Sequence, residues 1–112
     1  MNYEINRNDK FNIKITATEN IPIEESIGFW VTTEPMSTRC RYLFQGQMRK
    51  KWWETDDLGR YCNHSLTPNT TVVSQGDKLE LKANRKIEYG EEVLVDYRKI
   101  TEFTGYIPEI NF

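Results

Sequence analysis

The chain is poor in the residues that would carry several kinds of chemistry. It holds one histidine and two cysteines, Cys40 and Cys62, in 112 residues. Two thiols make neither a disulfide framework nor a four-ligand zinc site, so reduced cysteines and no bound metal are expected. No apolar run approaches the roughly 20 residues of a membrane-spanning helix. The opening Met1-Asn2-Tyr3-Glu4 is polar and acidic, unlike a secretory signal. The expectation is an intracellular protein, cytoplasmic or nuclear, with no membrane partner. On that ground Asn63-His64-Ser65 and Asn69-Thr70-Thr71 are not read as glycosylation sites. Charge of one sign is also lacking: 15 Lys and Arg face 17 Asp and Glu, and a net charge of −2 argues against a general nucleic-acid binder. With only 6 glycines and 4 prolines, no segment looks low-complexity. A hydrophobic content of 38% is enough for one core, so residues 1–112 are expected to form one domain.

What is present reads as many short strands. Phe11, Ile13 and Ile15 alternate with Asn12, Lys14 and Thr16, a period-two pattern that predicts a half-buried strand ending at Asn20-Ile21-Pro22. Ser26 to Thr33 suits a second strand, Pro35 to Arg41 a loop, and Lys51 to Thr55 a short strand. Asp56 to Tyr61 fits one helical turn. Thr70 to Ser74 and Lys78 to Lys82 flank Gln75-Gly76-Asp77, a hairpin signal. Glu88-Tyr89-Gly90 reads as a turn and Val93 to Val95 as a buried strand. Phe103, Tyr106, Ile107, Ile110 and Phe112 suggest a docked tail. Arg49-Lys50-Lys51-Trp52-Trp53 mixes basic and aromatic residues. It is read as a strand with one packed face, with stacking on nucleic-acid bases the weaker alternative.

Two stretches stand apart. One is Arg60-Tyr61-Cys62-Asn63-His64-Ser65-Leu66-Thr67-Pro68-Asn69, which holds the only histidine. The other is Gly90-Glu91-Glu92-Val93-Leu94-Val95-Asp96-Tyr97, a turn feeding a short apolar strand. Together they resemble the signature of the SET-domain protein methyltransferases, Arg-Phe-x-Asn-His-Ser-x-x-Pro-Asn, a hairpin, then Gly-Glu-Glu-Leu-x-x-Asp-Tyr. Ala17-Thr18-Glu19-Asn20-Ile21-Pro22 with Glu25, and Tyr42-Leu43-Phe44, are similar to two further segments of that family, and the match spans about residues 11–97.

The resemblance implies a mostly β, β-clip-like SET fold of small sheets, with a C-terminal pseudoknot that joins the two signatures. It implies methyl transfer from S-adenosylmethionine to a protein lysine. A protonated lysine, with a solution pKa of about 10.4, is not nucleophilic, and desolvation favours its neutral form. Tyr97 is then the catalytic tyrosine; read without the motif, it is a core ring with its hydroxyl bonded to backbone. Asn63 would bind the cofactor through its side chain and His64 through its backbone. Lys14 and Arg60 are further cofactor-facing candidates, and Arg60 and Asn69 would also shape the loop. Trp30, Tyr61, Tyr97, Phe103 and Tyr106 would line the substrate channel. Cys62 reads as a small buried residue.

The sequence departs from the family pattern in three places. Asn12-Ile13-Lys14 stand where the family has Gly-x-Gly. Trp30 and Thr32 stand where it has Tyr-x-Gly. Residues 98–112 form an aromatic tail without the cysteine-rich zinc segment of some members, and Leu66 replaces that segment's extra ligand. The expected partners are a lysine-bearing protein, such as a histone or another basic tail, and a second copy of the chain. The alternative is a SET-like domain that has lost catalysis and serves as a binding or structural module.

Overall fold

Leu79, Leu81 and Ala83 are buried while Lys78, Glu80 and Lys82 are half-exposed. That alternation gives the central sheet a strand with one apolar face. The computed structural model describes residues 1–36, 47–48 and 52–105. Cys40, Tyr42-Leu43-Phe44, the basic run at 49–51 and the tail from Tyr106 lie outside the described residues.

In chain order the elements are β1 (Tyr3–Asn6), β2 (Lys14–Ala17), β3 (Ser26–Thr32), β4 (Gln47–Met48), β5 (Trp52–Glu54), α1 (Leu58–Tyr61), β6 (Asn63–His64), β7 (Thr70–Ser74), β8 (Lys78–Ala83), β9 (Leu94–Val95) and α2 (Lys99–Thr104). They form a β1-β2 ribbon, a five-stranded sheet in the order β4-β5-β3-β8-β7, and a parallel β6-β9 pair. β7 and β8 are the expected hairpin, turning at Gly76 with φ of 70°.

β3 does not alternate cleanly. Its register against β8 shifts between Phe29 and Val31, so Trp30 is an extra residue on that strand. Such a bulge re-aims a side chain, and Trp30, Val31 and Thr32 are all buried in succession. Behind this strand sits α1. Thr55 Oγ1 donates to Phe29 O at 2.9 Å and accepts from Gly59 N at 2.8 Å, and Asp57 caps the helix by accepting from Leu58 N at 2.6 Å. The helix lies so close that a Cβ on Gly59 would stand 2.5 Å from Trp30 O and 2.8 Å from the Glu54 carbonyl carbon.

The segment before β9 runs antiparallel to the chain around β2. Ile21 and Ile87 exchange both backbone bonds, at 2.7 and 2.9 Å, and Val93 N donates to Ile15 O at 2.9 Å. The chain then leaves β2 and pairs in parallel with β6, Asn63 opposite Leu94 and His64 opposite Val95. Parallel pairing needs a crossover, and the β7-β8 hairpin lies in it.

Three expectations change. The strand expected from Phe11 begins only at Lys14, and Phe11 is 88% exposed. The side chains of Asn6 and Asp9 accept from Asn8 N and Phe11 N, each at 3.0 Å. These local turns hold the backbone that the apolar alternation would otherwise have extended. β1, not foreseen, pairs with β2 and buries Tyr3, whose hydroxyl donates to Asp57 at 2.5 Å. Burial, then Asp57, pushes the Tyr3 phenol up. The expected docked tail begins as a helix, α2, which buries Ile100 and ends at Gly105 with φ of 76°.

Candidate active site

The parallel pair places the two signature stretches side by side. Tyr97 is 3% exposed, and its hydroxyl donates to Cys62 O at 2.6 Å. The ring lies 5.0 Å from the His64 ring and 6.3 Å from the Trp30 ring, stacked on the latter at 26°. The core ring with a backbone-bonded hydroxyl is thus the observed arrangement, and it sits one residue from Asn63. A phenol that gives its proton to a carbonyl keeps oxygen lone pairs for another donor.

His64 is held from its ring. Nδ1 accepts Tyr97 N–H at 2.9 Å, so a neutral imidazole carries its proton on Nε2. Asp96 Oδ1 lies 4.0 Å from the same nitrogen. Hydrogen bonds from Arg98, the closest at 2.6 Å, hold the Asp96 carboxyl below its ordinary range against the opposing effect of burial. Cys62 is buried, with Sγ 3.3 Å from Val93 O.

Asn63 donates its side-chain N–H to Glu92 Oε2 at 2.8 Å. Asn69 is buried and straddles the segment before β9, with Oδ1 accepting Leu94 N at 2.9 Å and Nδ2 donating to Glu92 O at 2.8 Å. Thr70 Oγ1 adds a bond to Leu94 O at 2.7 Å. The Pro-Asn element therefore fastens one signature to the other.

The remaining candidates fall around this centre. Trp30 is fully buried, and among the described residues its indole N–H meets no hydrogen-bond partner. Tyr61 is half-buried, with the guanidinium carbons of Arg7 and Arg60 at 5.0 and 5.3 Å from its ring centre. Burial pushes its phenol up, but a hydrogen bond from Arg7 and the charges of Arg60 and Arg7 outweigh this and lower it. Lys14 opens β2 opposite Asn6 and is half-buried. Phe103 packs against the core and, with Thr70, Asp96 and Lys99, lines a cavity of about 400 Å³. Tyr106 lies outside the described residues.

Asn12 and Lys14 raise a testable question of fit, because glycine serves where φ is positive or a side chain would clash. The one non-glycine residue with positive φ among those described is Glu24. Asn12-Ile13-Lys14 therefore adopt ordinary geometry, and no glycine is required there for the backbone's sake.

Arg7 and Glu92 were missed in the sequence. Arg7 reaches Tyr61 across 54 positions with no local signal. Glu92 was visible inside the Gly-Glu-Glu motif, but nothing in the motif names its partner.

Among the described residues no helix is long and apolar enough to cross a membrane. The family pattern of the SET domain matches residues 12–98. No curated protein matched the sequence. Among solved structures, the chain is similar to a candidate histone methyltransferase of Plasmodium falciparum, at 18% identity and a TM-score of 0.56, over 86% of this chain and 92% of that one. At that identity the likeness speaks for the fold alone. With the family pattern covering most of its length, the chain belongs to the SET-domain family.

Proposed function

We propose that the protein transfers a methyl group from S-adenosylmethionine to a lysine side chain of another protein. The observation that carries this reading is the Tyr97 hydroxyl, bonded to Cys62 O beside Asn63 and His64 on the paired β6 and β9. When bound, the cofactor supplies an activated methyl group on a sulfonium.

The chain's own residues do the rest. Burial of Tyr97, Trp30 and Cys62 limits water at the Tyr97 hydroxyl and favours the neutral amine. The Tyr97 oxygen holds the amine or the polarised methyl without a full charge, because its proton is committed to Cys62 O. Trp30 forms an apolar wall against the Tyr97 ring. Asn63 offers a side-chain amide to the cofactor's ammonium. Arg7 and Arg60, gathered on Tyr61, would supply positive charge for the cofactor's carboxylate.

Calorimetric titration with S-adenosylmethionine and a methyl-transfer assay on lysine-bearing proteins test the reading. Tyr97→Phe should remain folded, lose about 1 kcal/mol with the Cys62 bond, and lose at least about a hundredfold in transfer. A fully active variant would remove the role given to Tyr97. A wild-type protein that is folded by circular dichroism yet binds no cofactor would instead mark an inactive binding module.

A further inference from the structure

The paired glutamates of the second signature take separate partners. Glu91 bonds Arg85. Glu92 reaches across to the first signature and accepts the Asn63 side-chain N–H at 2.8 Å. Its backbone is fixed on two sides, by the antiparallel bridge to Thr16 and by the bond from Asn69 Nδ2 to its carbonyl at 2.8 Å. The backbone that carries this carboxylate is therefore fixed relative to Asn63.

An asparagine amide has a donor end and an acceptor end, and a half-turn about its last bond exchanges them. A carboxylate accepts only, so it selects one of the two orientations. The reversed amide would set oxygen against oxygen at hydrogen-bond distance.

Building on the methyl-transfer reading above, we propose that Glu92 is a positioning residue: it locks the Asn63 amide so that its oxygen is presented to the ammonium of the cofactor's amino-acid moiety. The ligand is then recognised as an amino-acid conjugate and not only as a nucleoside. The pairing also gives the second glutamate of Gly90-Glu91-Glu92 a role distinct from that of the first.

The test uses two probes. S-adenosylhomocysteine carries the ammonium; 5′-methylthioadenosine keeps the nucleoside and lacks it. Affinities of both are measured by calorimetry for wild type, Glu92→Met and Glu92→Gln. Glu92→Met should weaken S-adenosylhomocysteine about tenfold, in keeping with the loss of a hydrogen bond to a charged group. It should leave 5′-methylthioadenosine unchanged. Glu92→Gln, which retains an accepting oxygen, should fall in between. If Glu92→Met does not fold, Glu92→Gln carries the test, with a smaller loss confined to S-adenosylhomocysteine. Equal weakening of both probes, or of neither, would overturn the positioning role while leaving the methyl-transfer reading in place. Failure of wild type to bind either probe would remove both.

Discussion

Replacing Asn69 by alanine tests whether one buried amide joins the two halves of the site. Its oxygen accepts Leu94 N at 2.9 Å and its nitrogen donates to Glu92 O at 2.8 Å, with Asn69 itself 1% exposed. The side chain thus does for this segment what a neighbouring strand would do. Alanine removes both partners at once and leaves a backbone donor and acceptor facing an apolar gap. Each orphaned group costs about 1–3 kcal/mol, and entry of a water would recover part of this, so a net loss of about 3 kcal/mol is expected. For a domain of this size that is a drop of about 12 °C in melting temperature.

Asn84→Ala is the internal control. Asn84 is exposed, and its bonds to Pro68 O and Thr70 O, both 3.1 Å, can be replaced by water. Its loss should stay below about 1 kcal/mol. Urea unfolding followed by circular dichroism measures both variants, and hydrogen exchange at the Leu94 amide reports the local event. An Asn69→Ala protein within about 0.5 kcal/mol of wild type, with the Leu94 amide still protected, would refute the argument. Asn69 would then be a turn residue and nothing more.

Other consequences follow from close approach and from charge. Gly59→Ala forces a Cβ to 2.5 Å from Trp30 O and 2.8 Å from the Glu54 carbonyl carbon. Backbone atoms cannot swing away, so a loss of about 3 kcal/mol is expected in urea unfolding. Gly76→Ala, with φ of 70° and nothing within 4 Å, meets strain alone and should lose about 1 kcal/mol. The hydrogen bond from Arg85 lowers the Glu91 carboxyl to about 2, against the opposing effect of burial and with help from Glu88 N–H. Because the folded value is depressed, this pair's stabilisation is complete above the unfolded value of 4.5 and is lost as pH falls from there towards about 2. Arg85 is 55% exposed, so solvent screening limits the effect to about 1 kcal/mol. Wild type should therefore lose more stability than Glu91→Gln between about pH 5 and about pH 3. Equal slopes for the two proteins would remove the pair from the account.

Much of the fold was legible because it is local. The β7-β8 hairpin, the turn at Gly90 and the helical turn after Asp56 each carry their signal within a few residues. The strand start at Lys14 was misplaced because Asn6 and Asp9 compete for the backbone ahead of it, and apolar alternation does not register that competition. β1 and α2 were missed for a different reason. Each depends on a distant surface: β1 on β2, and α2 on the core that buries Ile100.

The site divides along the same line. Asn63, His64 and Tyr97 could be named because motifs are local strings. What could not be read is which group faces which. The bonds that assemble the centre, Asn63 to Glu92, Tyr97 N–H to His64, and Asn69 to Glu92 and Leu94, each span more than 20 positions. Trp30 shows the same gap most plainly. The sequence flagged it as a substitution for tyrosine, but its burial follows from a bulge, a property of the β3-β8 register and not of the residue. Once the bulge turns the indole inward against Tyr97, the departure from the family pattern becomes a packing partner of the residue proposed to act on the methyl group. Changing Trp30 should therefore alter the surroundings of Tyr97 as well as the channel, and a methyl-transfer assay on Trp30→Tyr should reveal a changed rate even where cofactor affinity is preserved.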